Sequence, residues 1–265
     1  MKVWNNIVLF FKRITLPLNW IKTIWFNFYM FPFNTAIRLP IHLYGRVQTK
    51  GCVPGSIVFA DSRKPHFGAW QIGGTADFLR GPSWKFGVTR FIIEGKLILG
   101  ERGYIASGNM IRVTKGAVLS LGRMVCINYN TKIACTKSIS IGEGTRISWE
   151  TQFFDTNFHY MQAPDKTIKD CRKPIVIGKH NWIGNRSSIY PGTILGDWSI
   201  VASHSLVNKD FSSIECGIFA GIPAKLIKHG YKRVFNYATE YELQKFFDTN
   251  FDGEFINDDM PLEME

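Results

Sequence analysis

An aliphatic residue recurs at every sixth position through much of the chain. The longest unbroken series has six members, and glycine follows the first, second and fourth of them: Ile177, Ile183, Ile189, Leu195, Val201 and Val207. This period matches neither an amphipathic helix, which repeats about every 3.6 residues, nor a half-buried strand, which repeats about every two. It is typical of a solenoid in which each hexapeptide forms one short strand and one turn.

Three such hexapeptides close one triangular coil, and the aliphatic side chain of each points to its axis. Stacked coils then form a continuous apolar column while their backbone amides pair from coil to coil. Earlier series of the same period run Ile93 to Ile111, Leu121 to Ile139 and Ile141 to Phe153, with phase breaks between them. The sequence therefore predicts an all-β solenoid, a parallel β-helix of hexapeptide repeats over residues 46–225, with helical segments at both ends. Its first coils, from about Gly51 to Gly87, are expected to be irregular.

Residues 1–45 are rich in aromatic and basic side chains, and we predict a helical leader there. Residues 1–60 contain seven Lys or Arg and no Asp or Glu. No apolar run reaches the roughly 18 residues that a spanning helix needs. Two interpretations stay open: helices lying in a membrane interface, with cations near anionic lipid, or aromatic side chains packed on the main domain or a neighbouring subunit.

Charge and cysteine content limit the class of protein further. The net charge of +11 comes without zinc-finger spacing, a recognition-helix pattern or an aromatic-basic RNA signature, so we expect no nucleic acid partner. The five cysteines include no Cys-x-x-Cys pair, which indicates reduced, mostly buried thiols in a cytoplasmic protein. We expect no secretory signal peptide. Residues 226–265 are predicted to form a C-terminal helix, from about Lys225 to Phe247, and a loose acidic tail.

The repeat is interrupted by an excursion over residues 154–176, whose only histidine is His159. Insertions that project from a solenoid often carry its function. Acyl transfer to a hydroxyl needs a base, and a neutral imidazole suits that task near pH 7. Asp155, four residues earlier, is a candidate to orient the ring. The residues alone leave an alternative open, in which Asp155 and His159 only close the loop by local hydrogen bonds.

Three stretches of the repeat resemble a known protein family: Asn181 to Asn185, Pro191 to Asp197, and Val207 to Lys228 with its Gly-Ile-Pro-Ala-Lys turn. Over residues 121–228 the chain resembles the hexapeptide acyltransferases, in particular the maltose, galactoside and capsule polysaccharide O-acetyltransferases. The resemblance implies a left-handed β-helix that forms a homotrimer with active sites between subunits. It also implies acetyl-CoA as co-substrate and a saccharide or glycan acceptor.

The resemblance assigns roles to individual residues. His159 takes the position of the family's catalytic histidine, and Asn128 that of an asparagine that helps to position the acceptor. Trp182 matches the aromatic side chain beside the pantetheine arm of the coenzyme. In one departure from the family pattern, Ser203 is followed by His204 instead of glycine, which would narrow the coenzyme groove. Further coenzyme contacts are implied at Asn185, Ser203, Asn208 and Lys209, with Lys225 and Lys228 attracting the phosphates by charge.

We therefore predict an acetyl-CoA-dependent O-acetyltransferase that modifies a cell-surface polysaccharide or its precursor, in the cytoplasm or at the cytoplasmic face of the membrane. Two other classes stay open. A non-catalytic β-helix scaffold would have no need for Trp182 or the His159 loop. A γ-type carbonic anhydrase-like enzyme would need three histidines around zinc, whereas His180 and His204 lack a third ligand at solenoid spacing, so we expect no metal.

Overall fold

The computed structural model describes residues 18–60, 65–74, 87–257 and 259–263. Within them the chain builds three sheets, in which strands three places apart along the chain pair in parallel, and one last strand adds antiparallel to the end of one sheet. This order is that of a three-sided parallel β-helix, so the fold predicted from the six-residue period is confirmed at that level. Residues 1–17 of the predicted leader, and parts of the irregular first coils, lie outside the described residues.

The three sheets form the three faces of a triangular prism. Within each face the strands stack in the following order. The first face contains β1 (Ile41–Leu43), β4 (Trp70–Gly74), β7 (Gly103–Ala106), β10 (Val125–Ile127), β13 (Arg146–Ile147), β16 (Trp182–Ile183), β19 (Ile200–Val201), β22 (Ile218–Gly221) and the antiparallel β23 (Ala224–Lys228). The second face contains β2 (Val47–Gln48), β5 (Thr89–Ile93), β8 (Met110–Val113), β11 (Lys132–Cys135), β14 (Gln152–Phe154), β17 (Ser188–Ile189) and β20 (Leu206–Val207). The third face contains β3 (Ile57–Phe59), β6 (Lys96–Leu99), β9 (Val118–Leu121), β12 (Ser138–Ile141), β15 (Ile175–Ile177), β18 (Ile194–Leu195) and β21 (Asp210–Phe211).

The corners between faces form three edges along the prism. The first edge joins the first face to the second, the second edge joins the second face to the third, and the third edge leads from the third face back to the first. Equivalent residues of neighbouring coils lie 18 positions apart, as Asn181 and Ser199 do on the third edge. The same spacing separates Asn185 and Ser203 on the first edge. Three hexapeptides therefore make one coil.

The predicted aliphatic positions form superposed inner columns. Burying one such side chain contributes about 1.5–3 kcal/mol, so the columns provide much of the stability of the stack. The members of the longest series are all at most 2% exposed. They pair as Ile147, Ile183 and Val201 on the first face, Phe153, Ile189 and Val207 on the second, and Ile141, Ile177 and Leu195 on the third.

Longer strands explain the phase breaks in the earlier repeats. β6, β8, β9 and β12 have four residues each and turn two side chains inward, as Leu119 and Leu121 do in β9. A coil that contains such strands is longer than 18 residues. The six-residue register in the sequence therefore shifts while the buried columns continue without a gap.

Many coils turn their corners on a residue with left-handed backbone, a conformation that is costly for residues other than glycine. Buried hydroxyl groups satisfy corner carbonyls: Thr151 Oγ1 donates to Ser148 O at 2.8 Å, and Thr193 Oγ1 donates to Tyr190 O at 2.8 Å. These hydrogen bonds help to fix the backbone of the corners. Corner residues with φ of 54–59° are Met124, Asn130, Glu150, His180, Arg186, Trp198, His204 and Cys216.

Two helices cover the N-terminal end of the stack, α1 (Trp20–Met30) and α2 (Phe33–Ala36). The Asn19 side chain caps α1 by accepting a hydrogen bond from Lys22 N at 3.0 Å. β1 begins at Ile41 and pairs with β4, so the first coil starts inside the predicted leader, before the expected boundary at residue 46. Among the described residues, no helix has the length and apolar character required to cross a bilayer.

The C-terminal segment differs from the prediction. Residues expected to begin a helix form β23 instead, because the turn at Gly221–Pro223 sends the chain back along β22. The helix α3 (Tyr237–Thr249) begins later, where Asn236 Oδ1 accepts from the backbone N–H groups of Ala238 and Thr239. The acidic tail is held rather than loose, since Phe235 N donates to Leu262 O at 2.7 Å.

Burial determines the chemistry of two of the five cysteines. It raises the pKa of the Cys52 thiol to about 11 and that of Cys135 to about 12, where the charge of Asp155 adds to the effect. These two thiols stay protonated at neutral pH and are poor nucleophiles. Cys126, Cys171 and Cys216 are only partly buried, so the predicted burial holds for two of the five.

His42 of β1 makes the N-terminal end of the stack sensitive to acid. Its ring packs edge-on against Phe67 at 4.4 Å, and burial lowers its pKa below the ordinary 6.5. The folded protein therefore favours the neutral ring, so this contribution to stability is complete above pH 6.5 and is lost as the pH falls toward the lowered pKa. We expect His42→Gln to lose less unfolding free energy than the wild type between about pH 7.5 and about pH 5.5. Urea denaturation at both pH values measures this, and an equal loss in the two proteins would contradict it.

Candidate active site

The excursion leaves the stack at the second edge and returns to it in register. β14 ends at Phe154 and β15 begins at Ile175, so the excursion covers residues 155–174, slightly less than predicted. Antiparallel bridges join Thr156 to Arg172 and Gln162 to Ile168, which gives it the form of a hairpin. Most of its side chains are exposed, so it offers a surface beside the second edge.

Asp155 anchors the base of the excursion and does not orient His159. Its carboxylate is fully buried and accepts hydrogen bonds from Thr136 N at 2.8 Å, Thr136 Oγ1 at 2.7 Å and Lys137 N at 2.7 Å. Its backbone carbonyl accepts from Lys173 N at 2.9 Å, where the chain returns. The predicted pairing with His159 is wrong, because the corner of the preceding coil already uses both carboxylate oxygens.

His159 lies near the start of the excursion and is held through its neighbours. Phe158 packs edge-on against Phe154 at 5.5 Å, and Phe158 N donates to Thr156 Oγ1 at 2.9 Å. The imidazole itself is exposed and makes no hydrogen bond to any described residue. It is therefore free to meet a hydroxyl group that comes within hydrogen-bonding distance, which is the geometric requirement for a general base.

Asp155→Asn tests the anchor. The amide group would present N–H donors to the backbone donors of Thr136 and Lys137, leaving buried groups without acceptors. We expect a loss of about 2–3 kcal/mol in unfolding free energy. Asp165→Asn is a matched control, because Asp165 is an exposed carboxylate of the same excursion that bonds only within its own turn, to Thr167. Its effect should stay below about 0.5 kcal/mol, and equal losses in both variants by urea denaturation would contradict the assigned role.

The first edge brings together several of the predicted coenzyme contacts. Trp182 lies on β16 next to this edge, is 38% exposed, and donates from Nε1 to Ser148 Oγ at 3.2 Å. On the same edge, Ser203 of the following coil donates from Oγ to Asn185 Oδ1 at 2.6 Å. Asn128 lies two coils before Asn185 on the same edge and is half-buried. These residues form a polar ladder along the edge, which we call the first-edge ladder.

Arg233 covers part of Trp182, a contact that the sequence did not reveal. Its guanidinium lies 4.9 Å above the indole ring and 5.1 Å from the ring of Phe235. Glu240 Oε1 is 3.6 Å from Arg233 Nη2. Burial lowers the pKa of Arg233, an effect that Glu240 opposes. The only sequence signal is a basic stretch after β23, and charge alone does not tell which face it contacts.

The remaining predicted contacts do not all lie on the first edge. Lys225 pairs with Ala220 at the end of β22 nearest to that edge, whereas Lys228 pairs with Ile218 at the opposite end of the strand. The Nζ atom of Lys228 lies 5.2 Å from the ring centre of Tyr231. Asn208 and Lys209 follow β20 and are exposed at the second edge, the same edge that carries the excursion.

His159 and Asn128 lie on different edges of one prism. β14 and the excursion meet at the second edge, and Asn128 follows β10 on the first, with the second face between them. The two predicted catalytic residues are therefore carried by different edges of the chain.

The described residues offer no group of three His, Cys, Asp or Glu arranged to hold a metal ion. His180 is stacked on Trp198 at 4.6 Å, and its Nε2 lies 3.5 Å from Glu263 Oε2. His204 is an exposed corner residue on the first edge. The two histidines thus serve different corners of the prism.

The fold defines a class, a three-sided parallel β-helix of hexapeptide repeats, and comparisons with known proteins refine it. Residues 174–209 match the family model described as bacterial transferase hexapeptide (six repeats). The chain is 42% identical over 135 residues to an uncharacterized 24.8 kDa protein in the cps region of Klebsiella pneumoniae, covering 51% of this chain and 59% of that protein. It is 27% identical over 144 residues to the putative lipopolysaccharide biosynthesis O-acetyl transferase WbbJ of Escherichia coli, covering 51% and 72%.

A third relative is the galactoside O-acetyltransferase of Escherichia coli, 28% identical over 113 residues, which cover 43% of this chain and 55% of the enzyme. Among solved structures, a hexapeptide-repeat acetyltransferase of Vibrio cholerae complexed with acetyl coenzyme A is 28% identical, with a TM-score of 0.37 over 42% of this chain and 60% of that one. The matches to the Klebsiella protein and the galactoside enzyme span less than two thirds of those relatives. The resemblance predicted from the sequence is confirmed: residues 174–209 carry the hexapeptide repeat of bacterial transferases, and part of the chain is similar to proteins named as O-acetyltransferases.

Proposed function

We propose that the chain is an O-acetyltransferase that moves an acetyl group from acetyl-CoA to a sugar hydroxyl of a cell-surface polysaccharide or its precursor. The observation that carries the proposal is the excursion at the second edge, which presents an exposed imidazole from an otherwise regular stack of coils. The names of the relatives, which include a galactoside and a lipopolysaccharide O-acetyltransferase, support a saccharide acceptor.

In the proposed reaction His159 is the general base. Its neutral imidazole takes the proton of the acceptor hydroxyl while that oxygen bonds to the thioester carbonyl carbon, and backbone N–H groups at a coil corner stabilise the negative charge on the carbonyl oxygen. The carbon–sulfur bond then breaks, and the proton passes from the imidazolium to the leaving thiolate. The acyl group goes directly to the acceptor, without a covalent acyl-enzyme.

The first-edge ladder fits the arm of the coenzyme, which supplies the activated acetyl group when bound. Trp182 offers the part of its indole ring that Arg233 leaves uncovered, and Asn185 and Ser203 are polar groups along the same edge. Lys225 lies at the same edge with an exposed positive charge that suits a phosphate. Asn208 and Lys209 are assigned to the adenine end of the coenzyme and Lys228 to one of its phosphates. These residues would reach a coenzyme bound at the contact with a neighbouring subunit.

We further propose that the β-helix is left-handed and that three copies form the working enzyme. The separation of His159 and Asn128 on different edges supports this assembly. If the second edge of one subunit faces the first edge of the next, His159 of one chain meets Asn128 and the coenzyme ladder of its neighbour. The enzyme would act in the cytoplasm, where acetyl-CoA is available.

Two measurements test the function. Purified protein supplied with acetyl-CoA and lipopolysaccharide or capsule fragments should release free CoA thiol and add one acetyl mass to the glycan. Mass spectrometry of surface glycans from cells with and without the protein should show the loss of that acetyl mass. Tight CoA binding with no glycan change in either experiment would instead indicate another acceptor class, and absence of CoA binding would favour a non-catalytic scaffold.

A further inference from the structure

The inner side of helix α1 buries two apolar side chains, Phe26 and Met30, and two polar ones, Thr23 and Asn27. Asn27 uses both ends of its amide on β1, donating from Nδ2 to Ile41 O at 2.7 Å and accepting from Ile41 N at 3.1 Å. Thr23 Oγ1 accepts from Leu43 N at 3.0 Å. β1 is the end strand of the first face, so these side chains satisfy backbone groups that a further strand would otherwise pair with.

The opposite side of α1 is apolar and exposed. Its side chains leave large areas uncovered, such as 85% of Ile21 and 52% of Trp25. A helix that faces water presents polar and charged side chains on its outer side. Phe33 and Ile37, next along the chain, extend the exposed surface. We call this surface the α1 outer face: Trp20, Ile21, Ile24, Trp25, Phe28 and Tyr29.

The charged side chains of the segment that contains α1 are all positive. Arg38, Arg46 and Lys50 are exposed in the stretch that follows the helix, and the first 60 residues contain no acidic side chain. Lys22 is engaged, because its Nζ donates to Val47 O. The N-terminal segment therefore combines exposed aromatic rings with exposed cations and has no acid of its own to neutralise them.

We propose that the α1 outer face lies in the interface of an anionic lipid membrane. Trp and Tyr rings favour the headgroup level, and nearby cations are attracted to negatively charged lipid. A second copy of the same face is a poorer partner, because it would bring like charges together without any acid from either segment to neutralise them. The proposal goes beyond the acetyltransferase reaction and does not depend on it, since a chain without catalytic activity would bind lipid through the same surface.

Vesicle binding by the full chain tests the proposal. We expect co-sedimentation with phosphatidylcholine vesicles that contain about one third phosphatidylglycerol, and at least about tenfold weaker binding to phosphatidylcholine alone. The double variant Ile21→Ser, Trp25→Ser should weaken binding to the anionic vesicles at least about tenfold. Phe251→Ser, Ile256→Ser is the matched control, because these apolar side chains are as exposed but lie beyond α3. It should bind within about twofold of the wild type.

Two further readouts separate the alternatives. Sedimentation velocity of the double variant should match the wild type; a smaller assembly with unchanged vesicle binding would make the α1 outer face a subunit contact and overturn the proposal. If the double variant does not fold, brominated lipids provide a test on the wild type, whose tryptophan fluorescence they should quench on anionic vesicles. Absence of quenching, or equal binding to neutral vesicles, would also overturn it. Acetyl transfer to a soluble glycan should be the same in folded variants, so failure of the membrane proposal is distinct from failure of the proposed function.

Discussion

The substitution His159→Ala is expected to lower kcat at least about 100-fold, because general-base assistance typically contributes about 10²–10⁴ in rate. The affinity for CoA should change little, since the imidazole acts on the acceptor hydroxyl and no coenzyme contact is assigned to it. Steady-state rates of thiol release, with Kd for CoA from calorimetry, measure the two quantities separately.

Tyr160→Phe is the matched control, because Tyr160 is an exposed neighbour of His159 in the same excursion. It should keep its rate within about threefold of the wild type if the loop is undisturbed. Near-normal turnover of His159→Ala would remove His159 from the role of base. A parallel loss in both variants would instead mean that the shape of the excursion, and not the imidazole, is what the reaction needs.

Phe153→Ala is expected to destabilise the protein by about 3–5 kcal/mol, the range for removing a large buried aromatic side chain. Phe153 is fully buried and pairs with Ile133 and Ile189 in the coils on either side. The cavity would therefore open in the middle of an inner column, next to the point where the excursion leaves the stack. Urea denaturation at two protein concentrations measures the loss and separates it from any change in assembly.

Val176→Ala provides the comparison for Phe153→Ala. Val176 lies on β15, in the next face of the same stack, but points outward and is 39% exposed. Its replacement should cost less than about 1 kcal/mol. A cost for Phe153→Ala as small as this would show that the coils can collapse around the missing ring, and that the columns contribute less than their burial indicates.

The sequence predicted the repeating part of the fold because one physical constraint, burial of a side chain per hexapeptide, acts at every coil. The ends were harder to predict, because there the constraint changes. β1 has no preceding coil among the described residues and is completed by Asn27 and Thr23, which lie well before it in the sequence. Ala224–Lys228 continues a sheet after a turn where the apolar pattern also permitted a helix.

The candidate site shows the same limit. The excursion can be located from the sequence because it interrupts the six-residue repeat, and its histidine is the natural candidate for a general base. The role of Asp155 was missed, since its partners Thr136 and Lys137 lie one coil earlier and no local pattern links them. Arg233 was missed because its contact with Trp182 joins the C-terminal segment to the side of the prism. The catalytic and coenzyme roles of His159, Asn128 and the first-edge ladder stay predictions.

The way the chain leaves and rejoins the stack at Phe154 and Ile175 has a consequence for how such a protein can change. Since the coils on both sides keep their pairing, with Ile139 opposite Ile175 and Phe153 opposite Ile189, the hairpin is an attachment rather than part of the wall. Changes in the exposed part of the hairpin, beyond its buried anchor Asp155, can therefore be made without disturbing the columns beneath. The wall is constrained by the pairing of successive coils, whereas the exposed part of the hairpin is free to vary one residue at a time.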